Sequence, residues 1–312
     1  MSSADLDSRH GRAPGTTLAR SDVTSRRWAD PAETSSVMAA GALRAALAAA
    51  GDDGPLDAVI VSGILPEQPM PTTAVLVLRH LGFDQGTTEA FDVNASCLGF
   101  LTGMEIACLG IAAGRWARVG VVASEVASKG LDHADIESSA LFGDGAGAAV
   151  LGRSADDGGS RVLAARFATW PQGADLCRID AGGTRWNQVT PSDDPRAHLF
   201  HMDGRGLLAL SARHLPRFLE QFLAAAGTSL DDVDLVIPHQ ASGVGLRYLK
   251  EKLGVPAEKV VEILADHGNQ VSASIPNALH HAVSSGRLDR GRTVLLLGTG
   301  AGLSVGALLI RY

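Results

Sequence analysis

The stretch Glu89-Ala-Phe-Asp-Val-Asn-Ala-Ser-Cys97-Leu-Gly-Phe-Leu-Thr-Gly-Met-Glu-Ile-Ala-Cys-Leu-Gly-Ile-Ala-Ala113 passes from a short extended run into a long apolar one. Residues 89–93 read as a strand. Residues 96–113 carry apolar side chains on nearly every face, which predicts a helix enclosed by protein rather than one lying on the surface. That reading places Cys97 in the first helical turn. Unpaired backbone N–H groups and the positive end of the helix dipole favour a thiolate there over a thiol. A small buried hydrophobe is the ordinary alternative for a free cysteine, and this segment alone leaves it open. A lone cysteine becomes a candidate nucleophile only with a His and an Asn or Asp elsewhere in the chain.

Both partners occur downstream. Asp234-Leu-Val-Ile-Pro-His239-Gln-Ala-Ser242 reads as an apolar strand ended by Pro238, with His239 and Gln240 opening the loop before a helix that runs to about Leu253. Proline cannot continue a ladder, so His239 is lifted out of the sheet at the C-terminal end of the strand. Asp266-His-Gly-Asn269-Gln-Val-Ser-Ala-Ser-Ile-Pro276 repeats the plan and puts Asn269 in a Gly-containing turn ahead of another helix. Taken singly, each has a plainer explanation, a loop histidine and a common turn pair. Their joint occurrence with Cys97 favours a catalytic set.

The sheets around these segments are written twice. Leu56-Asp-Ala-Val-Ile-Val61 and Ala117-Arg-Val-Gly-Val-Val-Ala123 are echoed by Val233-Asp-Leu-Val-Ile237 and Arg292-Thr-Val-Leu-Leu-Leu297, at offsets of 177 and 175 residues. Each pair is followed by a glycine-rich apolar run, Gly145 to Leu151 in one case and Gly300 to Ile310 in the other. Apolar β-branched runs alternate with helical patterns such as Glu33 to Ala50 and Leu207 to Ala226, which implies sheets covered by helices. An α/β chain of two pseudo-duplicated halves follows, 1–153 with Cys97 and 154–312 with His239 and Asn269. The stretch from Ser154 to Arg205, with Asp156-Asp-Gly-Gly159 and Asp193-Asp-Pro195, reads as a loop-rich join.

Composition excludes several classes. The 312 residues are 46% hydrophobic, enough to bury a large core. Cys97, Cys108 and Cys177 are too few and too scattered for a disulfide framework or a zinc site. A formal charge of −7 argues against nucleic acid as principal partner. The N-terminal residues lack the apolar core of a signal peptide, so a cytoplasmic enzyme is expected. Val294 to Ile310 is uncharged but glycine-rich and too short to span a bilayer, and reads as two buried strands joined by a turn. Gly143-Asp-Gly-Ala-Gly-Ala148 precedes a strand, not the helix that a pyrophosphate would need, so a dinucleotide site is not expected. His198, His201, His280 and His281 lack the companions of a metal site. No Gly-x-Ser-x-Gly elbow occurs.

At these residues the chain resembles β-ketoacyl-ACP synthase III, the initiating condensing enzyme of the thiolase superfamily. The resemblance is carried by Phe91-Asp-Val-Asn-Ala-Ser-Cys97-Leu-Gly-Phe100, Phe142-Gly-Asp-Gly-Ala-Gly-Ala-Ala-Val150, Pro238-His-Gln-Ala241, Gly268-Asn269 with Ala273-Ser-Ile-Pro276, and Gly298-Thr-Gly-Ala-Gly-Leu-Ser-Val-Gly306. It covers nearly the whole chain from about Ala4. It implies a thiolase-like fold in α-β-α-β-α layers. It also implies Cys97 as acyl carrier, His239 and Asn269 as enolate donors, and the backbone N–H groups of Cys97 and Ala301 as oxyanion hole. The substrates implied are acyl-CoA with malonyl-CoA or malonyl-ACP, held by the pantetheine arm of coenzyme A or acyl carrier protein, without metal, flavin or nucleotide cofactor. Relatives are homodimers whose loop from each subunit closes the other's acyl pocket. The matching segment here is Gly63 to Thr73, with Met70 at the position that reaches across.

The chain departs from that pattern in places. A short first strand before Ala4-Asp-Leu6 is absent, so an incomplete first sheet or a truncated start is expected. No tryptophan stands near Gly15-Thr16-Thr17 to stack on coenzyme A, although Arg20 fits the basic position that follows. Val244 replaces an expected arginine, Arg247 partly substitutes for it, Lys252 matches a basic residue, and Ser242 stands where the family has Asn. These changes point to a specialised relative. Transfer of the Cys97 acyl group to a hydroxyl or amine, non-decarboxylative condensation of two acyl thioesters, and a catalytically silent subunit remain as alternatives.

Overall fold

The computed structural model describes residues 1–51, 54–154 and 159–312. In chain order the helices are α1 (Ser3–Arg9), α2 (Thr16–Ser21), α3 (Ser35–Ala50), α4 (Thr73–Leu81), α5 (Gly99–Ala112), α6 (Ile136–Ser139), α7 (Gly204–Ala225), α8 (Gly243–Glu251), α9 (Leu264–His267) and α10 (Ser274–Ser284). The strands are β1 (Ala58–Ser62), β2 (Glu89–Val93), β3 (Arg118–Glu125), β4 (Gly145–Gly152), β5 (Arg161–Gly173), β6 (Cys177–Arg178), β7 (His201–Met202), β8 (Leu235–Pro238), β9 (Thr293–Gly300) and β10 (Gly302–Arg311). One sheet has the order β2-β1-β3-β4 and the other β5-β10-β9-β8, with β6 and β7 as a separate small ribbon.

The repeat seen in the sequence is a repeat of topology. β1 runs parallel to β3, which pairs antiparallel with β4. In the second sheet β8 runs parallel to β9, which pairs antiparallel with β10. Even the outer partner of β1 has a remnant, since Val236 of β8 bridges Val260 in the parallel sense that β2 has with β1. The counterpart of β5 is missing, and β4 ends the first sheet among the described residues.

Side-chain alternation then builds the layers. Ala58 and Ile60 face one core and Val59 and Val61 another, as period-two strand geometry requires. In the second sheet Leu296 and Leu308 point to the shared core, while Leu295, Leu297, Ala307 and Leu309 point away. The shared core holds Phe100, Leu101 and Met104 of α5 with Ile275, Ala278 and Ala282 of α10. Helices α3 and α4 cover the outer face of the first sheet, and α7 and α8 that of the second. The result is the α-β-α-β-α layering. It explains why α5 is apolar all round, because sheets lie on both sides of it.

Two readings need correction. Helix α5 begins at Gly99, so Cys97 lies in the turn before the helix and not in its first turn. The turn takes positive φ at Ser96, 50°, and closes through Leu98 N–H to Ala95 O and Gly99 N–H to Ser96 O. The stretch from Ser154 to Arg205 is not all loop, because the 13-residue β5 falls within it. Val162 and Phe167 of β5 face the shared core whereas Ala164, Ala168 and Trp170 face the outer one. A register shift opposite Leu309 and Ile310 breaks that alternation, which hid the strand from a period-two reading. Residues 155–158 of the join lie outside the described residues.

Candidate active site

Three loops meet where the two halves abut. Cys97 follows β2, His239 follows β8, and Asn269 follows α9. All three line one cavity of about 490 Å³, together with Ile64, Leu131, Phe142, Phe200 and the Thr299-Gly300-Ala301 turn. A second cavity of about 330 Å³ meets the first at Met202, Leu207, His239, Ala241 and Thr299 and opens past Arg20, Glu137, Arg205 and Val244. The site is therefore an apolar chamber with the cysteine in its wall and an approach that passes the histidine.

Asn269 and Gln240 are held by backbone through their side chains, and His239 through its own main chain. The Asn269 amide accepts from Val271 N–H at 2.8 Å and donates to Ala241 O at 3.2 Å. The Asn269 N–H donates to Leu141 O at 2.9 Å, and Gly143 N–H donates back to Asn269 O at 3.0 Å. His239 is 6% exposed, and its N–H is tied to Leu297 O at 2.8 Å. Its ring Nδ1 is buried without a partner among the described residues. Gln240 beside it is wholly buried, donating to Pro238 O and Val261 O and accepting from Ile263 and Leu264 N–H groups. It fixes the loop that carries the histidine.

Burial pushes Cys97, Glu125 and His239 toward their neutral forms. It lowers His239 to about 4, so the imidazole is neutral at neutral pH. It raises the Glu125 carboxyl to about 7. The Cys97 thiol rises to about 12, chiefly from burial, with the Glu125 carboxylate and Cys177 adding to it. The expectation of a resting thiolate favoured by a helix start is thus overturned, since desolvation outweighs the local donors. Those donors are the backbone N–H groups of Cys97 and Ala301, which act in the opposite sense.

The structure brings Cys97, His239, Asn269 and Ala301 together and places Arg20 at the approach. It does not bring Met70, Arg247 or Lys252 to either cavity. Met70 is 82% exposed on the loop before α4. Arg247 is paired with Asp22 at 2.8 Å, Arg20 stands 3.8 Å from Glu137, and Lys252 is exposed past the end of α8. Sequence reading missed Glu125 and Cys177, the second of which also lines the chamber. Glu125 left a signal, being a carboxylate at the end of the apolar run Val119 to Ser124.

Two α/β halves joined by a shared helical layer, with a Cys, His and Asn at their seam, define a thiolase-fold condensing enzyme. The model of the 3-oxoacyl-[acyl-carrier-protein] synthase III family matches residues 91–171, and that of its C-terminal region matches residues 223–312. β-Ketoacyl-[acyl-carrier-protein] synthase III 3 of Streptomyces coelicolor is 36% identical over 296 residues, covering 94% of this chain and 88% of that one. Acetoacetyl CoA synthase NphT7 of Streptomyces sp. strain CL190 is 35% identical, with coverage of 94% and 88%. The crystal structure of 3-oxoacyl-[acyl-carrier-protein] synthase III from Aquifex aeolicus superposes with a TM-score of 0.88 at 32% identity, covering all of this chain and 95% of that one. The chain belongs to the 3-oxoacyl-[acyl-carrier-protein] synthase III family, condensing enzymes that transfer acyl groups.

The shifted groups make opposing contributions to stability. A histidine lowered to about 4 contributes stability that is complete above its unfolded value near 6.5 and is lost as pH falls toward 4. A carboxyl raised to about 7 contributes stability that is complete below its unfolded value near 4.5 and is lost as pH rises through 7. Between pH 4.5 and 6.5 the two slopes offset each other. Denaturant titrations should therefore show Glu125→Gln losing stability, and His239→Gln gaining it, as pH is lowered across that window, by on the order of 2 kcal/mol each. Parallel profiles in the two variants would refute the assignment.

Proposed function

We propose that this enzyme loads an acyl group from a coenzyme A thioester onto Cys97 and extends it by decarboxylative Claisen condensation with a malonyl thioester. The Cys97 sulfur, as thiolate, attacks the thioester carbonyl. The carbon–sulfur bond to the carrier breaks, the carrier thiol leaves with the proton from Cys97, and an acyl-enzyme remains. The observation that carries this reading is that Cys97, His239, Asn269 and Ala301 line one chamber, with the backbone N–H groups of Cys97 and Ala301 beside the thiol to receive the oxygen of a bound thioester as it acquires charge. A thiol held near 12 keeps little resting thiolate. Deprotonation then accompanies attack, when these donors have an oxyanion to stabilise.

In the second half-reaction the malonyl carboxylate leaves as carbon dioxide, and its electron pair becomes an enolate. That carbanion attacks the acyl carbon, expels Cys97, and yields a β-ketoacyl thioester. His239 and Asn269 serve as donors to the enolate oxygen. Neutrality of His239 suits a donor that stabilises charge without surrendering its proton, and the Asn269 amide is fixed before charge develops. The chemistry calls for no metal, flavin or nucleotide cofactor. The approach past Arg20 suits a pantetheine arm. A specialised pathway rather than general chain initiation is proposed from Val244 at the approach, where an arginine is expected.

A homodimer completes the chamber in this reading. Edge strand β2 is flanked by α4 and α5, and Leu65, Met70, Val75 and Leu109 are exposed on or beside them. An unpaired edge rimmed by apolar side chains is a surface that a second chain covers. Pro66, Pro69 and Pro71 stiffen the Met70 loop and lower the entropy cost of inserting it.

Mass spectrometry of the protein incubated with acyl-CoA should place the acyl group on Cys97, with Cys97→Ala unlabelled and Cys108→Ala and Cys177→Ala labelled as before. Label on either other cysteine would sink the assignment. Asn269→Ala should keep loading but release carbon dioxide from malonyl thioester about 10² to 10³ times more slowly. Undiminished release would remove Asn269 from the chemistry and favour simple acyl transfer. Light scattering should give a dimer, and Met70→Trp should shorten the acyl chains accepted while sparing the shortest. A monomer, or an unaltered length profile, counts against the shared pocket.

A further inference from the structure

The mechanism uses no side chain of β3, yet that strand ends on a carboxyl group 1% exposed to solvent. Glu125 Oε2 accepts from Ile64 N–H at 3.1 Å. Its Oε1 accepts from both the hydroxyl and the N–H of Ser272. Ile64 belongs to the loop that walls the acyl chamber, and Ser272 belongs to the 3-10 turn that follows Asn269. One carboxyl thus ties the wall that meets the acyl chain to the turn that carries the enolate donor. Among the described residues no cation pairs with it. Its titratable neighbours are the Asp144 carboxylate and the Cys97 thiol. A buried carboxyl without a cation is costly, and three neutral donors do not remove that cost. Such a group is retained at a functional site when its charge does something there.

We propose that Glu125 is a positioning residue of the condensing site, one that braces the acyl wall against the Asn269 turn and, through its charge, sets how readily Cys97 gives up its proton. When neutral, it adds nothing to the burial that already holds the thiol protonated. When ionised, it opposes the thiolate across the same low-dielectric space. The carboxyl changes charge near neutrality, so the brake on Cys97 engages as pH rises and flattens the usual gain of cysteine reactivity with pH. The inference rests on Cys97 as nucleophile, and its test needs no thioester.

The test is the rate of iodoacetamide alkylation at Cys97, followed by peptide mass spectrometry from pH 5.5 to 9.5 in the full chain. Wild type and Glu125→Gln should react at similar rates below about pH 6. Above pH 8 the Gln variant should react about tenfold faster, the ratio expected for one unit of thiol pKa. Ser272→Ala removes one donor to the carboxylate and keeps the acid, so the inflection of the wild-type profile should move to higher pH. A constant ratio between Glu125→Gln and wild type across the range would overturn the proposal. Should the Gln variant not fold, an inflection unmoved in Ser272→Ala would overturn it alone. Acyl loading is read separately, and its absence with these profiles intact would strike the proposed function and not Glu125.

Discussion

The two backbone hydrogen bonds between the Leu141–Gly143 segment and Asn269 are the constraint on which the site depends. They stitch one half of the molecule to the other, with Phe142 and Asn269 paired as a parallel bridge. The seam closes only because two residues lack a side chain. A Cβ on Gly143 would stand 2.2 Å from the His267 carbonyl oxygen, and one on Gly268, at φ +68°, would stand 2.6 Å from the Leu141 carbonyl oxygen. Glycine permits both the approach and the left-handed turn. Asn269 is consequently positioned by main chain from the opposite half, and Phe142 beside it becomes chamber wall. The Asp144 side chain then anchors the same segment by accepting from Ala29 N–H and from Ser128.

A buried seam has an electrostatic consequence. Cys97, Glu125 and His239 are all moved toward neutrality by the same desolvation, two acids upward and one base downward. The thiol and imidazole at the chamber are neutral at rest, which suits a chamber proposed to hold an acyl chain. Charge appears only during reaction, first on a thioester oxygen and then on an enolate. Fixed dipoles are already aimed where it develops, and in a low dielectric they act strongly and need no reorganisation. Catalytic power in this account comes from donors that wait, not from a nucleophile ionised in advance.

Much of this was written in the sequence. The repeat of Leu56 to Val61 at Val233 to Ile237, and of the Ala117 run at Arg292, announced two sheets of like topology because buried parallel strands are continuous apolar runs. Cys97, His239 and Asn269 were legible because each follows an element whose end is marked, by Ser-Cys-Leu-Gly, Pro238 or Gly268. What escaped had no local mark. β5 is an edge strand with a register shift and lost its alternation. The start of α5 moved by three residues, from 96 to 99, because Ser96 takes positive φ, which its side chain does not advertise. The sign of the Cys97 shift was misjudged because a helix terminus is visible in sequence whereas depth of burial is not. Glu125 announces itself as a misplaced charge, but its link from Ile64 to Ser272 joins residues 208 apart in the chain.

The central claim is that one cysteine carries an acyl group that a malonyl unit then extends. Intact-protein mass spectrometry tests it in two additions, first a panel of acyl-CoAs and then malonyl-CoA or malonyl-ACP with the excess acyl-CoA removed. An acyl adduct on the enzyme is expected after the first addition. Loss of that adduct is expected after the second, with carbon dioxide released and a β-ketoacyl thioester two carbons longer in solution. An adduct that persists through the malonyl addition, or that passes instead to a hydroxyl or amine acceptor, would contradict it.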